Sequence, residues 1–360
     1  MIPVTKAFLP PIEEYTKYLK GIWESGWLTN YGPLVNDLEK KLCDYLDVGS
    51  LSFCTNGTIA IQLAMKALDI SGEVITTPFS YVATTNSILW EHCKPVFVDI
   101  NENDFCINTD KIEEKITDDT KAILAVHVYG FPCNVEAIEK IAKKHGLKVI
   151  YDGAHAFGVQ YQGKSLLAYG DITTCSFHAT KLFHTVEGGA IISSSKEIYK
   201  KVKLHQTFGH SEDDYFCLGI NGKNSEFHAA MGLCNITKVK AIIDRRKIIS
   251  EIYNQTLNFG RKLSRPSSTL DFDYNYAYYP VAFDTEKRML EVKELLKKNE
   301  INTRRYFYPS LNTLPFIDYQ PCPVSESVSL RVLALPLFYE LAEQDVKKIS
   351  NLINSCLEHE

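Results

Sequence analysis

The sequence predicts an α/β protein with a mostly parallel sheet in a large domain and a smaller α+β domain at the C-terminal end. Three observations predict this class. Short apolar runs alternate with amphipathic stretches over residues 54–195, as strands and helices do in parallel sheets. A long helical pattern then leads away from this region. The 360 residues exceed the size at which one core stops growing, so we expect domains at residues 1–240 and 241–360.

The predicted strands of the large domain are short, apolar and rich in β-branched residues. These features are typical of strands buried on both faces of a parallel sheet. Amphipathic helices at residues 58–68 and 135–145 are expected to cover the sheet, because Val135, Ile138 and Ala142 recur on one helix face. The strands are predicted at residues 73–77, 95–99, 122–129, 148–151, 173–177 and 190–194.

The second part of the chain predicts the connection to the small domain and the domain itself. Residues 226–254 have the pattern of one long helix, apolar at first and charged later, which would link the two domains. An extended aromatic stretch follows at residues 274–283. Helical patterns at residues 286–298 and 342–356 complete the predicted α+β domain.

Composition and charge argue against several classes of function. Hydrophobic residues make up 45% of the chain and charged residues 23%, which is ordinary for a soluble globular protein. The net charge of -5 provides no basic stripe for nucleic acid, so we expect no nucleic-acid partner. No apolar run approaches the roughly 20 residues of a membrane span, and the start of the chain lacks the pattern of a signal peptide. We therefore expect a cytoplasmic protein without a membrane partner, and its ten scattered cysteines predict reduced thiols.

The first segment with possible chemistry is TNGT, residues 55–58, between an apolar run and an amphipathic helix. The start of that helix would offer free backbone N–H groups to an anion, and Gly57 would let a phosphate approach closely. Asn, Gly and Thr also form ordinary turns and helix caps, so this segment alone leaves both interpretations open.

A single aromatic residue, Tyr81, follows a predicted strand in the segment PFSY. It would lie near the carboxyl edge of the sheet, where open α/β sheets bind ligands. Its ring could stack on a flat ligand or pack within the protein, and the segment does not decide between the two.

A carboxylate, Asp152, ends a strongly apolar strand in the segment YDGAHAFG. Partial burial of a charge requires a strong partner, and a protonated pyridine nitrogen would be one. The alternative is an N-cap for a helix over residues 154–157, a common role for Asp.

The lysine in SFHATK is the most informative residue of the chain. Lys181 follows an apolar strand and lies between Phe177 and the pair Leu182 and Phe183. Such apolar neighbours are unusual for a surface lysine. A desolvated amine is suited to forming a Schiff base. Asp152 precedes it by enough residues for the chain to return to the same sheet edge.

The histidines of this segment do not predict a metal site. His178 and His184 have no third ligand within reach in the sequence, and a zinc site requires at least three protein ligands.

These segments together resemble the DegT/DnrJ/StrS-type sugar aminotransferases, which have the aspartate-aminotransferase-like fold, also called fold type I of the enzymes that use pyridoxal 5'-phosphate (PLP). The resemblance covers nearly the whole chain. It implies PLP as the cofactor and a homodimer with shared active sites. The matching segments are WLTNYGP, TNGT, PFSY, VHVYGFPCNVEAI, YDGAHAFG, SFHATK, EGGA, LGINGKNSEFHAAMGL, RRYFYP and LALPL.

The resemblance also implies residue roles. Lys181 would hold the cofactor covalently and later move a proton, and Asp152 would keep the pyridine nitrogen protonated. Tyr81 would stack on the ring. The other implied cofactor residues are Gly57, Thr58 and Ser176 at the phosphate, His155 at the phenolic oxygen, and Asn221, which would come from the second subunit. Two positions depart from the family pattern, because many relatives have Gln in place of His155 and Arg in place of Lys223.

Substrate residues are less sharply indicated. Tyr31 and His210 are candidates for substrate binding, as are Arg304 and Tyr308. The basic and aromatic set of Arg304, Tyr306 and Tyr308 could bind a diphosphate or a sugar, or could pack at the domain interface.

The implied reaction moves an amino group from L-glutamate to a dTDP-linked keto sugar. SFHATK favours amination at the C4 ketone of dTDP-4-keto-6-deoxy-D-glucose, with the C3 ketone of a dTDP-3-keto-6-deoxyhexose as the alternative. A non-catalytic regulatory or binding protein of the same fold is the alternative from another class. A related sugar dehydratase would carry histidine in place of Lys181, and none of the cysteines has the setting that a cysteine desulfurase needs.

Overall fold

The strands of the protein are mostly as short as the sequence predicts, and those of the central sheet are buried. The computed structural model describes residues 1–358. Within them, the strands in chain order are Leu51–Cys54 (β1), Glu73–Thr76 (β2), Lys94–Phe97 (β3), Thr120–Val126 (β4), Lys148–Asp152 (β5), Gln160–Tyr161 (β6), Lys164–Ser165 (β7), Ile172–Ser176 (β8), Gly189–Ser193 (β9), His210–Ser211 (β10), Asp214–Tyr215 (β11), Leu263–Ser264 (β12), Phe272–Asp273 (β13), Tyr279–Phe283 (β14) and Val332–Leu335 (β15).

The helices lie where apolar residues recur with helical spacing. The helix predicted at residues 135–145 begins after the Asn134 cap, whose side chain accepts from the N–H of Ala137, and ends at Gly146 in the left-handed region. The α-helices are Ile12–Ser25 (α1), Pro33–Leu46 (α2), Gly57–Ala67 (α3), Ala83–Trp90 (α4), Val135–His145 (α5), Lys196–Gln206 (α6), Glu226–Ile236 (α7), Val239–Thr256 (α8), Glu286–Lys298 (α9), Pro323–Arg331 (α10) and Glu343–Glu358 (α11). Among residues 1–358, no helix is both long enough and apolar enough to cross a membrane.

The central sheet has seven strands in the order β1-β9-β8-β5-β4-β2-β3. Five neighbouring strands, from β8 to β3, are parallel, and this confirms the mostly parallel α/β fold. Strand β9 is antiparallel to both β8 and β1. The loop that joins β8 to β9, residues 177–188, therefore lies at the same edge as the carboxyl end of β5. That loop contains Lys181.

A second hydrophobic core lies in the later part of the chain. It is formed by α8, α9 and α11 packed on the small sheet β12-β14-β15. Buried Tyr253, Val281 and Ile349 are among its members. The division of the chain at residue 240 stays a prediction, because α8 contributes apolar residues both to this core and to the core of the central sheet.

Three predicted elements differ from the structure. The strand predicted at residues 122–129 ends at Val126, because Val128–Gly130 forms a 3-10 turn in which Tyr129 has a positive φ. Residues 226–254 form two helices, since the N–H of Lys238 bonds to Asn235 three residues back and α8 starts anew at Val239. The aromatic stretch 274–283 is a strand only from Tyr279 onwards, because Tyr276 has a positive φ and Asn275 bonds to the backbone around it.

Candidate active site

The carboxyl ends of the adjacent parallel strands β5 and β8 and the start of α3 surround a cavity of about 450 Å³. Ligands of open α/β sheets bind at this edge. The structure brings together eight of the residues singled out from the sequence, which lie up to 247 positions apart in the chain. They are Gly57, Thr58, Tyr81, Asp152, His155, Ser176, Lys181 and Arg304.

One end of the cavity is built to receive an anion. Helix α3 begins at Gly57, and the Asn56 side chain caps it by accepting from the N–H of Ile59 at 2.9 Å. The N–H groups of Gly57 and Thr58, in the first turn, have no acceptor within the helix. Ser176, at the end of β8, lies directly against them. A Cβ added to Gly57 would come within 2.9 Å of the Ser176 Cβ, so the close approach of helix and strand requires glycine. Two backbone donors at the positive end of the helix dipole and one hydroxyl thus lie close together at this end of the cavity.

Asp152 is fixed by two hydrogen bonds. The Thr84 hydroxyl donates to Oδ2 at 2.9 Å, and the N–H of Ala154 donates to Oδ1 at 3.0 Å. Thr84 is itself 2.8 Å from the Ser80 hydroxyl. The bond to Ala154 is the local contact that an N-cap would make, but residues 154–157 form turns and no helix. A carboxylate has about four acceptor positions, so Asp152 can still accept from a ligand in the cavity.

His155 is buried and neutral. Burial, and after it the charge of Lys181, holds the pKa of His155 well below its usual range. The N–H of Tyr129 donates to Nδ1 at 3.1 Å, so Nδ1 carries no proton and Nε2 does. The ring is also packed against Phe307, with centroids 5.5 Å apart. His155 therefore presents an N–H donor at a fixed place in the wall of the cavity.

The Lys181 amine extends from the loop between β8 and β9. Its Nζ donates to the hydroxyl of Tyr278 at 3.3 Å. Burial lowers the pKa of this amine, but Tyr278, Tyr306 and Asp152 together raise it by more, so the pKa of Lys181 lies above its usual range. The Lys181 backbone is held by its own bond to the carbonyl of His178 at 2.8 Å.

Four predicted residues lie outside this cavity. Tyr31 is covered by Lys203, whose Nζ is 3.9 Å from the ring centroid. Tyr308 packs against Arg305, whose Cζ is 3.5 Å from the ring centroid. His210 lies in the β10–β11 hairpin, 5.2 Å from Tyr215 between ring centroids. Asn221 is exposed and pairs through its backbone with Thr207. Their roles in binding stay predictions.

Three contacts of the site go beyond the sequence-based expectations. Thr84 donates a hydrogen bond to Asp152, and Tyr278 accepts one from Lys181. Tyr306 lines the cavity, and its ring centroid lies 4.7 Å from the Cζ of Arg304. The sequence indicates Tyr306 only as one of a basic and aromatic set. No spacing in the sequence connects residue 278 with residue 181, because the contact depends on how the later part of the chain folds back.

A second cavity, of about 490 Å³, lies between α1, α2 and α7. Its buried carboxylate, Glu226, accepts from the N–H groups of Leu34 at 2.8 Å and Val35 at 2.9 Å. The charge is thus used to cap the start of α2, which makes this cavity a poorer candidate for catalysis.

Comparison with known proteins gives consistent matches over nearly the whole chain. The model of the DegT/DnrJ/EryC1/StrS aminotransferase family matches residues 11–354. The chain is 41% identical over 365 residues to the dTDP-4-amino-4,6-dideoxy-D-glucose transaminase of Escherichia coli, covering 98% of both chains. It is 32% identical to the GDP-perosamine synthase of Escherichia coli O157:H7, again over 98% of both. The crystal structure of DesI in the presence of its TDP-sugar product matches with a TM-score of 0.94 at 28% identity, covering 99% of this chain and 93% of that one.

Proposed function

Because the chain belongs to the DegT/DnrJ/EryC1/StrS aminotransferase family, we propose that it transfers an amino group from L-glutamate to the C4 ketone of dTDP-4-keto-6-deoxy-D-glucose. The protein is an aminotransferase and its cofactor is PLP. The product would be a dTDP-4-amino-4,6-dideoxy sugar for O-antigen or another surface polysaccharide. The observation that carries the proposal is the full-length similarity to a transaminase named for that product, in a chain whose lysine and aspartate share one cavity.

The residues of the cavity fit this cofactor. Gly57, Thr58 and Ser176 form a cradle for a phosphate, and the close packing at Gly57 is the observation that tests the fit. Asp152 can accept a further hydrogen bond and would accept it from the protonated pyridine nitrogen, which keeps that nitrogen protonated. His155 would donate from Nε2 to the phenolic oxygen, and the half-exposed ring of Tyr81 would stack on the cofactor. When bound, PLP withdraws electrons from the substrate carbon that carries the nitrogen.

The remaining chemistry belongs to Lys181. Its Nζ would bind the cofactor covalently and, once released, would move a proton at the substrate carbon. The thymidine diphosphate and the sugar would lie toward the mouth of the cavity, where the exposed Arg304 offers a cation. In the first half reaction glutamate leaves as 2-oxoglutarate, and in the second the sugar ketone becomes an amine.

A homodimer with shared active sites is part of the proposal, as is a cytoplasmic location. Asn221 is exposed and lies outside the cavity of its own chain, which supports a role for Asn221 of the partner subunit. The hairpin region before it also carries exposed apolar side chains of the kind that interfaces bury. They are Phe208, Tyr215, Phe216, Leu218 and Ile220.

Product analysis tests the substrate and the position of amination. Purified protein, PLP and glutamate are incubated with dTDP-4-keto-6-deoxy-D-glucose, and the sugar is analysed by NMR. A new amine at C4 with formation of 2-oxoglutarate is expected. Turnover only of a 3-keto sugar would favour the C3 alternative, and no glutamate-dependent product from either sugar would contradict the proposal.

A further inference from the structure

The only hydrogen-bond partner of the Lys181 amine within residues 1–358 is the hydroxyl of Tyr278, at 3.3 Å. The amine also lies 5.9 Å from the centroid of the same ring. Tyr278 belongs to the later part of the chain, whereas Lys181 belongs to the loop between β8 and β9. A residue from a distant segment thus reaches the group that reacts.

A tyrosine hydroxyl suits this place because it can both donate and accept. It accepts from the lysine when the lysine is an ammonium ion, and it can donate to the lone pair when the lysine is a neutral amine. One side chain can therefore keep contact with Lys181 in both protonation states without moving.

The backbone around Tyr278 is held on several sides, as a positioning residue requires. The guanidinium of Arg246, buried in α8, donates to the carbonyl of Ala277 at 2.9 Å. The Asn275 side chain accepts from the N–H of Ala277 at 3.0 Å and donates to the carbonyl of His155 at 2.8 Å. This second bond connects the Tyr278 segment directly to the wall of the cavity.

The Tyr278 ring is held as firmly as its backbone. It meets the His155 ring edge to face, with centroids 4.7 Å apart, and lies 5.5 Å from the Tyr306 ring. Because His155 is neutral, Lys181 is the group beside Tyr278 whose positive charge the hydroxyl oxygen can stabilise. The Tyr278 hydroxyl faces Lys181 and also lies next to the Tyr306 side chain.

We propose that the Tyr278 hydroxyl holds the Lys181 amine at one side of the cavity and stabilises its protonated form whenever that amine is not bonded to the cofactor. This inference rests on the proposed function, because it gives Tyr278 a positioning role for the lysine that the reaction uses. Loss of the hydroxyl leaves the ammonium ion without its acceptor. The pKa of Lys181 would then fall, and the amine would be more reactive at neutral pH.

The test measures Lys181 in the protein without PLP, so that it does not depend on the identity of the sugar or the donor. The protein is methylated with formaldehyde and cyanoborohydride at a series of pH values, and the labelling of Lys181 is followed by peptide mass spectrometry against exposed Lys164 as an internal reference. Tyr278→Phe keeps the ring and removes the hydroxyl. The matched control is Tyr276→Phe, because the Tyr276 ring packs on Tyr274 at 4.9 Å.

Tyr278→Phe is expected to lower the pH midpoint of Lys181 labelling by about one unit, so that labelling below the midpoint is about tenfold faster. Tyr276→Phe should leave the midpoint unchanged. Tyr278→Leu serves as a second variant and should shift the midpoint in the same direction, with folding checked by circular dichroism. An unchanged or raised midpoint in the folded variants overturns the inference and leaves the proposed function intact.

Discussion

A methyl group added at Gly57 would disturb the proposed phosphate cradle at a defined place. The new Cβ would lie 2.9 Å from the Cβ of Ser176 and 3.3 Å from its Cα. Ser176 cannot turn aside, because both atoms belong to the end of β8, which is paired with β9 through the Ser176–Gly189 register. The start of α3 must therefore move away by several tenths of an ångström.

The magnitude follows from the donors that would bind the phosphate in the proposed cradle. Movement of α3 separates the N–H groups of Gly57 and Thr58 from the Ser176 hydroxyl, so that one phosphate cannot meet all three. Loss of one hydrogen bond to a charged group costs about 1.5–3 kcal/mol, which corresponds to a rise in the Kd for PLP of roughly 10- to 150-fold. The overpacked contact should also lower the free energy of unfolding by about 1–3 kcal/mol.

The assay titrates the cofactor-free Gly57→Ala protein with PLP and, in parallel, with pyridoxal, which has no phosphate. PLP binding should weaken by the stated factor and pyridoxal binding should change little. Gly49→Ala is the control, because a Cβ at Gly49 meets no atom of residues 1–358 within 4 Å. If Gly57→Ala bound PLP as tightly as the wild type, or if pyridoxal binding weakened equally, the assignment of the cradle would be refuted.

Three further predictions concern other parts of the site. Thr84→Val removes the donor to the Asp152 carboxylate and should slow the half reaction with glutamate by about tenfold in stopped-flow experiments. Thr85→Val, which removes a buried hydroxyl that has no partner within residues 1–358, should not slow it. The pKa of His155 is lowered in the folded state, so only the unfolded chain binds a proton at this residue near pH 6.5. The free energy of unfolding should therefore fall as the pH drops below about 6.5. His155→Gln should flatten that loss in urea unfolding between about pH 6.5 and 5, and an unchanged slope would contradict a buried neutral imidazole. Asn221→Ala and Lys181→Ala, each impaired alone, should regain activity when their subunits are mixed and exchanged, and failure to do so would argue against shared sites.

Much of the site followed from strand patterns. The apolar strands that end at Asp152 and Ser176 were located within one or two residues, and the rule that parallel strands end at one sheet edge brought Lys181 to them. Strand β1 was not predicted as a strand, because four residues, three of them apolar, do not distinguish a strand from a buried helix turn.

The parts that escaped prediction depend on long-range packing. The segment of Tyr278 is held near Lys181 by the bonds from Arg246 to the Ala277 carbonyl and from Asn275 to the His155 carbonyl. Neither bond has a signature in the local sequence. Likewise, the pattern that made residues 226–254 look like one helix carries no sign of the turn at Lys238, because apolar spacing continues across it.

The most direct test of the central claim is an absorbance spectrum of the protein loaded with PLP, recorded before and after the addition of L-glutamate, for the wild type and for Lys181→Ala. The wild type is expected to show the visible band of a lysine-bound cofactor, and glutamate should replace it with the band of the aminated cofactor. Lys181→Ala should show neither the first band nor the conversion. A wild type that binds no PLP, or a Lys181→Ala protein that behaves identically, would contradict the central claim.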